Sequence, residues 1–149
     1  MMRFIEKEGF VTVSADSTAP LVANVKAGTE KAVIDESGLA TGTKSGPDPY
    51  DYILSALGAC TVITLQMYAT RKGWPLERAE VRLWHERIHP NDCEKSDDKD
   101  ARLSHVTKKL KLYGNLTDEQ RARLKVISAK CPVQKTLEGG IAITTKLEV

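Results

Sequence analysis

The stretch GPDPYDYILSALGACTVITLQMYATRKGWP, residues 46 to 75, decides the fold. It predicts a long helix from Pro49 to Lys72. Asp48 is a good N-cap and Pro49 suits the first helical position. Asp51 falls at the third, where its charge favours the positive end of the helix. Gly73 ends the run, and Trp74-Pro75 blocks continuation. Along the helix Ile53, Leu57, Cys60 and Thr64, with Ala56, Ile63 and Met67, recur at spacings of three and four. That spacing predicts one buried face, with Cys60 on it.

Ahead of the helix, FVTVSA, LVANVKAG and KAVIDE read as short strands, and residues 37 to 49 read as a loop rich in Gly, Ser, Thr and Pro. Behind it, AEVRLWHERIH sets Val81, Leu83, His85 and Arg87 on one side, and Trp84 and Ile88 on the other. HVTKKLKLYG alternates Val106, Lys108, Leu110 and Leu112 against Lys109, Lys111 and Tyr113. Between these two strands lies PNDCEKSDDKDA, a charged loop. LTDEQRARLKVISAK opens with Thr117 and Gln120 at capping-box spacing and reads as a helix. Residues 131 to 138 read as a further short helix, and IAITTKLEV alternates as a last strand. The order predicts an α+β architecture in one domain, residues 1–149. Within it, 1–45 hold the N-terminal strands and loop, and 46–149 the helix–sheet core.

The chain's 149 residues suit one domain or one protomer of a small oligomer. The apolar run ILSALGACTVITL is broken by Ser, Gly and Thr and reads as short of a membrane span. MMRFIEKEGF shows neither the basic start nor the apolar run of a signal peptide. A cytoplasmic address is therefore expected, with no membrane partner, and there thiols stay reduced. Three cysteines are an odd number, which argues against a disulfide scaffold. A net charge of +2 is too small to imply nucleic acid. The basic clusters Lys108-Lys109-Lys111 and Arg121-Arg123-Lys125 are expected on a wet face.

Chemistry is left to the cysteines. Cys131 precedes Pro132, which puts its sulfur at a helix N-terminus, where unpaired N–H groups and the helix dipole favour thiolate; plain packing is the alternative. Cys60 sits about three turns into a helix among Ala, Leu and Ile, where a small hydrophobe belongs. Pattern alone reads it as core. Cys93, in the charged loop, reads as exposed and incidental. His85, His89 and Cys93 are spaced four apart, but on a strand that spacing spreads them by some 13 Å each, so no metal site is expected. No P-loop, GxGxxG or GxSxG occurs, which leaves nucleotide and hydrolase readings without support.

Together, GPDPYDYILSALGACT and AKCPVQKTL resemble the two cysteine motifs of the OsmC/Ohr family, the osmotically inducible and organic hydroperoxide resistance proteins. The run from Gly46 to Thr136 is similar to the OsmC-like branch also found fused behind α/β-hydrolase domains. The resemblance implies an OsmC-like fold: an intertwined homodimer with antiparallel sheets packed around long central helices. It implies a peroxidase in which Cys60 attacks an organic hydroperoxide and becomes a sulfenic acid. Cys131 then closes a disulfide that an external dithiol, such as a lipoylated protein, reduces. No bound cofactor is implied. Typical organic hydroperoxide reductases support the reactive cysteine with an arginine from the N-terminal strands and a glutamate ten residues before it. Here the second position is Tyr50, with Asp51 next, and no arginine lies between Arg3 and Arg71. Asp51 and Lys26 are the candidate substitutes. The alternatives are a small-molecule binding protein on the same fold, or a thiol redox sensor using the same cysteines.

Overall fold

The computed structural model describes residues 11–88 and 103–148. It is mixed α+β, with antiparallel sheets and one long helix, and forms two compact units, residues 1–53 and 54–149. In the first unit, β1 (Val11–Ser14), β2 (Val22–Ala27) and β3 (Glu30–Asp35) form an antiparallel sheet in the order β1-β2-β3. Ala27 pairs with Glu30, so the turn between β2 and β3 has two residues. Gly28 takes its first position at φ 61°, the left-handed conformation such a hairpin requires. The segment expected as a loop contains one short helical stretch, α1 (Gly38–Thr41).

The long helix α2 runs over Pro49–Lys72, as its capping signals predict. At its start, Asp51 N–H donates to Asp48 Oδ1 at 2.9 Å, and Asp48 N–H donates to Asp51 Oδ2 at 2.9 Å. Two otherwise orphaned helix donors are thus satisfied reciprocally. The expected buried face is corrected. The buried residues are Leu57, Gly58, Thr61, Leu65 and Ala69, whereas Ile53, Ala56, Ile63 and Met67 are exposed and Cys60 is half-buried. Apolar residues surround this helix almost continuously, so spacing alone allows more than one stripe; contact with β4, β5 and α3 selects the one through Leu57 and Leu65. By length and composition alone α2 is apolar enough to cross a membrane, a test that the core helix of a soluble protein also passes.

In the second unit β4 (Arg78–Ile88) and β5 (Leu103–Tyr113) form an antiparallel pair with Leu83 opposite Lys108 and His85 opposite Val106. A β-carbon added at Gly58 would lie 2.9 Å from Leu83 Cδ1 and 3.4 Å from Val81 Cγ1. The glycine therefore lets α2 lie close against β4. α3 (Asp118–Ser128) begins with the expected capping box between Thr117 and Gln120, and α4 (Pro132–Gly139) has Cys131 as its N-cap. Leu65, Ala69, Leu76, Leu116, Leu124 and Ile127 make the core, flanked by Tyr68, Trp74, Leu110 and Leu112.

Residues 141–148, expected as a last strand, have no β partner. Ile143 and Leu147 are 85% and 92% exposed. Pairing along a sheet edge is what makes a strand, and among the described residues no strand pairs with this segment.

Candidate functional site

The site lies wholly within the second unit, where three helices and a strand converge. Cys60 and Thr61 come from the middle of α2, Lys108 from β5, Ser128 from the end of α3, and Cys131 from the start of α4. The Cys60 and Cys131 thiols are free, and Cys60 is among the neighbours that lower Cys131. Two cysteines seventy-one positions apart in the sequence are thus brought near each other. Cys60 is half-buried, while Cys131 is fully buried at 0% exposure.

Cys131 occupies the position its Cys-Pro motif predicts. Pro132 is the first residue of α4, and Gln134 N–H donates to Cys131 Sγ at 3.4 Å. Burial by itself pushes this thiol up. The hydrogen bonds from Cys60, the Gln134 N–H, the Thr61 hydroxyl and the Val133 N–H outweigh burial and hold it below its ordinary value of 9.0. Thr61 is also fully buried, and its Oγ1 donates to Leu57 O at 2.8 Å. The hydroxyl has one proton and two acceptors within reach, Leu57 O and Cys131 Sγ, so its rotation can follow the charge on Cys131.

Lys108 belongs to this cluster, and the sequence reading did not single it out. Its Nζ donates to Thr61 Oγ1 at 3.1 Å and to Ser128 O at 3.0 Å. Burial pulls this ammonium below its ordinary value of 10.5, against the negative charges of Cys131, Cys60 and Glu138. The expected wet face for Lys108 is thus corrected, and the signal was present. Lys108 falls in phase with Val106, Leu110 and Leu112, on the apolar side of β5, so alternation and basic clustering pointed in opposite directions. Arg121 departs likewise: half-buried, it donates to Leu112 O at 2.8 Å and to Gly114 O at 3.0 Å.

A cavity of about 730 Å³ adjoins the cluster, lined by Leu57, Ser104, His105, Val106, Lys108, Gln134, Leu137 and Glu138. In its wall Gln134 Nε2 donates to Glu138 Oε1 at 2.6 Å, which fixes the orientation of the amide. Gln134 Oε1 is then buried without a hydrogen-bond partner among the described residues.

Two further candidates, Asp51 and Lys26, belong to the first unit. Asp51, in the first unit, pairs with Lys44 Nζ at 2.5 Å, and that ion pair, followed by the Asp48 N–H, holds its carboxyl below the usual range. Lys26 is exposed on β2, opposite Thr12 and Lys31. His89 and Cys93 fall outside the described residues. Among the described residues no cluster of three metal-ligating side chains occurs.

The comparisons agree with this architecture. The family model described as OsmC-like protein matches residues 42–146. No curated protein sequence matches the chain. The crystal structure of an OsmC-like protein from Mycoplasma pneumoniae is similar at a TM-score of 0.69 and 15% identity, over 91% of this chain and 90% of that one. The organic hydroperoxide resistance protein OhrB of Bacillus subtilis is similar at 0.59 and 16% identity, over 85% and 87%. A protein from Legionella pneumophila named organic hydroperoxide resistance protein OsmC reaches 0.61 and 14%, over 87% and 90%. At such identities the likeness concerns the fold.

Proposed function

This chain belongs to the OsmC-like protein family, and from that premise we propose that it is a cysteine-based peroxidase that reduces organic hydroperoxides to alcohols. The observation that carries this reading is the proximity of the two reduced thiols, one half-buried and one buried at a helix N-terminus. Cys60, half-buried where Cys131 is fully buried, is the more accessible sulfur and in this reading the attacking one. The Cys60 thiolate attacks the distal oxygen of R–O–O–H. The S–O bond forms as the O–O bond breaks, and the alkoxide takes a proton to become R–OH. Cys131 then attacks the sulfenic sulfur, water leaves, and a disulfide remains. Two electrons have passed from two thiols to one peroxide. A dithiol, such as a lipoyl group on a protein, restores the pair by thiol–disulfide exchange. A reducing cytoplasm suits that cycle.

The substrate class follows from the cavity beside the pair. Leu57, Val106 and Leu137 suit an apolar tail, which hydrogen peroxide lacks. The names of the Bacillus and Legionella relatives point the same way. The functional molecule is a homodimer. Ile63 and Met67, 57% and 69% exposed on the uncovered side of α2, favour a second copy as their cover, as does the unpaired segment 141–147.

Intact-mass measurement after one equivalent of cumene hydroperoxide tests the reading, with Cys60→Ser and Cys131→Ser beside the parent protein. The parent loses two hydrogens, Cys131→Ser gains one oxygen, and Cys60→Ser is unchanged. If all three remain reduced while folded, the peroxidase reading fails. The cavity would then mark a binding protein.

A further inference from the structure

Lys108 has three ammonium hydrogens, and two are used, by Thr61 Oγ1 and Ser128 O. No third acceptor for it occurs among the described residues, yet Lys108 lines the cavity beside the cysteines. The same cavity wall holds an acceptor with nothing to accept, Gln134 Oε1, whose amide is locked by Glu138. A buried polar atom left unpaired costs stability and calls for a ligand group or water. One spare donor and one orphaned acceptor beside a nucleophilic pair match a hydroperoxide, which offers one O–H and a second oxygen that only accepts.

The geometry points to Lys108 and Gln134 as the residues that read the peroxide group: Lys108 donates to the oxygen that leaves and neutralises the thiolate, while Gln134 Oε1 accepts the hydrogen on the oxygen that is attacked. This rests on the peroxidase reading and supplies a cation to a chain with no arginine between Arg3 and Arg71. The Cys60 thiolate gives its electron pair to the distal oxygen, which keeps its hydrogen and becomes S–OH. The O–O pair departs with the proximal oxygen, and a Lys108 proton converts R–O⁻ to R–OH. Solvent reprotonates the amine. An ammonium whose proton is loosened by burial is better fitted to this transfer than a fully hydrated one.

The test is stopped-flow formation of the Cys60 sulfenate with cumene hydroperoxide, across pH, in Lys108→Met, Lys108→Arg and Gln134→Met. The charged and titratable groups around Lys108 are Cys60 on α2, Cys131 and Glu138 on α4, Lys125 on α3, His85 on β4 and His105 on β5. Lys108→Met is expected to slow the reaction about 100-fold, as loss of one preorganised donor does. Gln134→Met should slow it about tenfold. In the parent protein the rate climbs as thiolate forms and falls again as Lys108 deprotonates. Lys108→Arg should keep the rate within about tenfold and lose the alkaline fall, because a guanidinium does not titrate there. A parent-like rate in Lys108→Met overturns the proposal. Should that variant not fold, an unchanged alkaline limb in Lys108→Arg overturns it equally. Thiolate absorbance at 240 nm keeps this failure distinct from failure of the peroxidase reading. Even in a protein inert to peroxide, thiol titration in Lys108→Met, or in Lys108→Arg above the lysine's range, must shift; no shift removes Lys108 as counter-charge.

Discussion

Replacing Thr61 by valine keeps the shape of a fully buried side chain and removes only its hydroxyl. The hydroxyl's interactions with Leu57 O, Lys108 Nζ and Cys131 are lost, with unequal consequence for stability. Leu57 O still accepts the helical N–H of Thr61, so its loss is small. The Lys108 ammonium loses its 3.1 Å acceptor and keeps only Ser128 O. Hydrogen bonds to charged groups are worth about 1.5–3 kcal/mol, and half-burial lets water compensate in part, so about 1.5 kcal/mol is expected. For a chain of this length that lowers Tm by about 3–6 °C. Lys108→Met breaks the same contact from the other side. Combining the two leaves neither an unpaired ammonium nor an unpaired hydroxyl, so the double variant should lose less than the sum, by about 1 kcal/mol. Urea unfolding followed by Trp74 and Trp84 fluorescence, at one fixed protein concentration, measures all four corners of the cycle. A coupling below about 0.3 kcal/mol lies within ordinary additivity and would refute the claim that the hydroxyl holds the ammonium.

Two further outcomes concern the thiols and the assembly. Cys60→Ala removes a neighbour that lowers Cys131, so the Cys131 titration followed at 240 nm should move upward; a downward move or none contradicts that influence. Because folded Cys131 titrates below an unfolded thiol, its contribution to stability is complete above about pH 9.0 and is lost as pH falls through the folded value. Met67→Glu places a charge on the uncovered side of α2 and should raise the dimer dissociation constant at least about thirtyfold by light scattering. A parent protein that is monomeric, or a variant that dimerises equally, sinks the homodimer.

Local chemistry written into short segments was legible in advance. The Asp48-Pro49 start and Gly73 stop of α2, the Thr117 capping box, and the Cys131-Pro132 start of α4 each depend on neighbours within a few residues, and each formed as read. The two cysteine motifs carried the family. What the sequence left undecided is whatever depends on which faces meet. The apolar stripe of α2 was misplaced because apolar residues line most of the helix and only packing against β4, β5 and α3 selects the buried side. Alternation predicts a last strand in IAITTKLEV, yet alternation does not encode which edge meets it, and among the described residues no strand pairs with it. Lys108 shows the same limit at the site. Alternation put it on the apolar face and charge put it in water, and the sequence holds no term to weigh one against the other. The fold decided it by placing a buried hydroxyl and a helix-end carbonyl, forty-seven and twenty residues away in the chain, where the ammonium can reach both. Partners so distant in sequence make burial of the charge tolerable, and only tertiary structure brings them together.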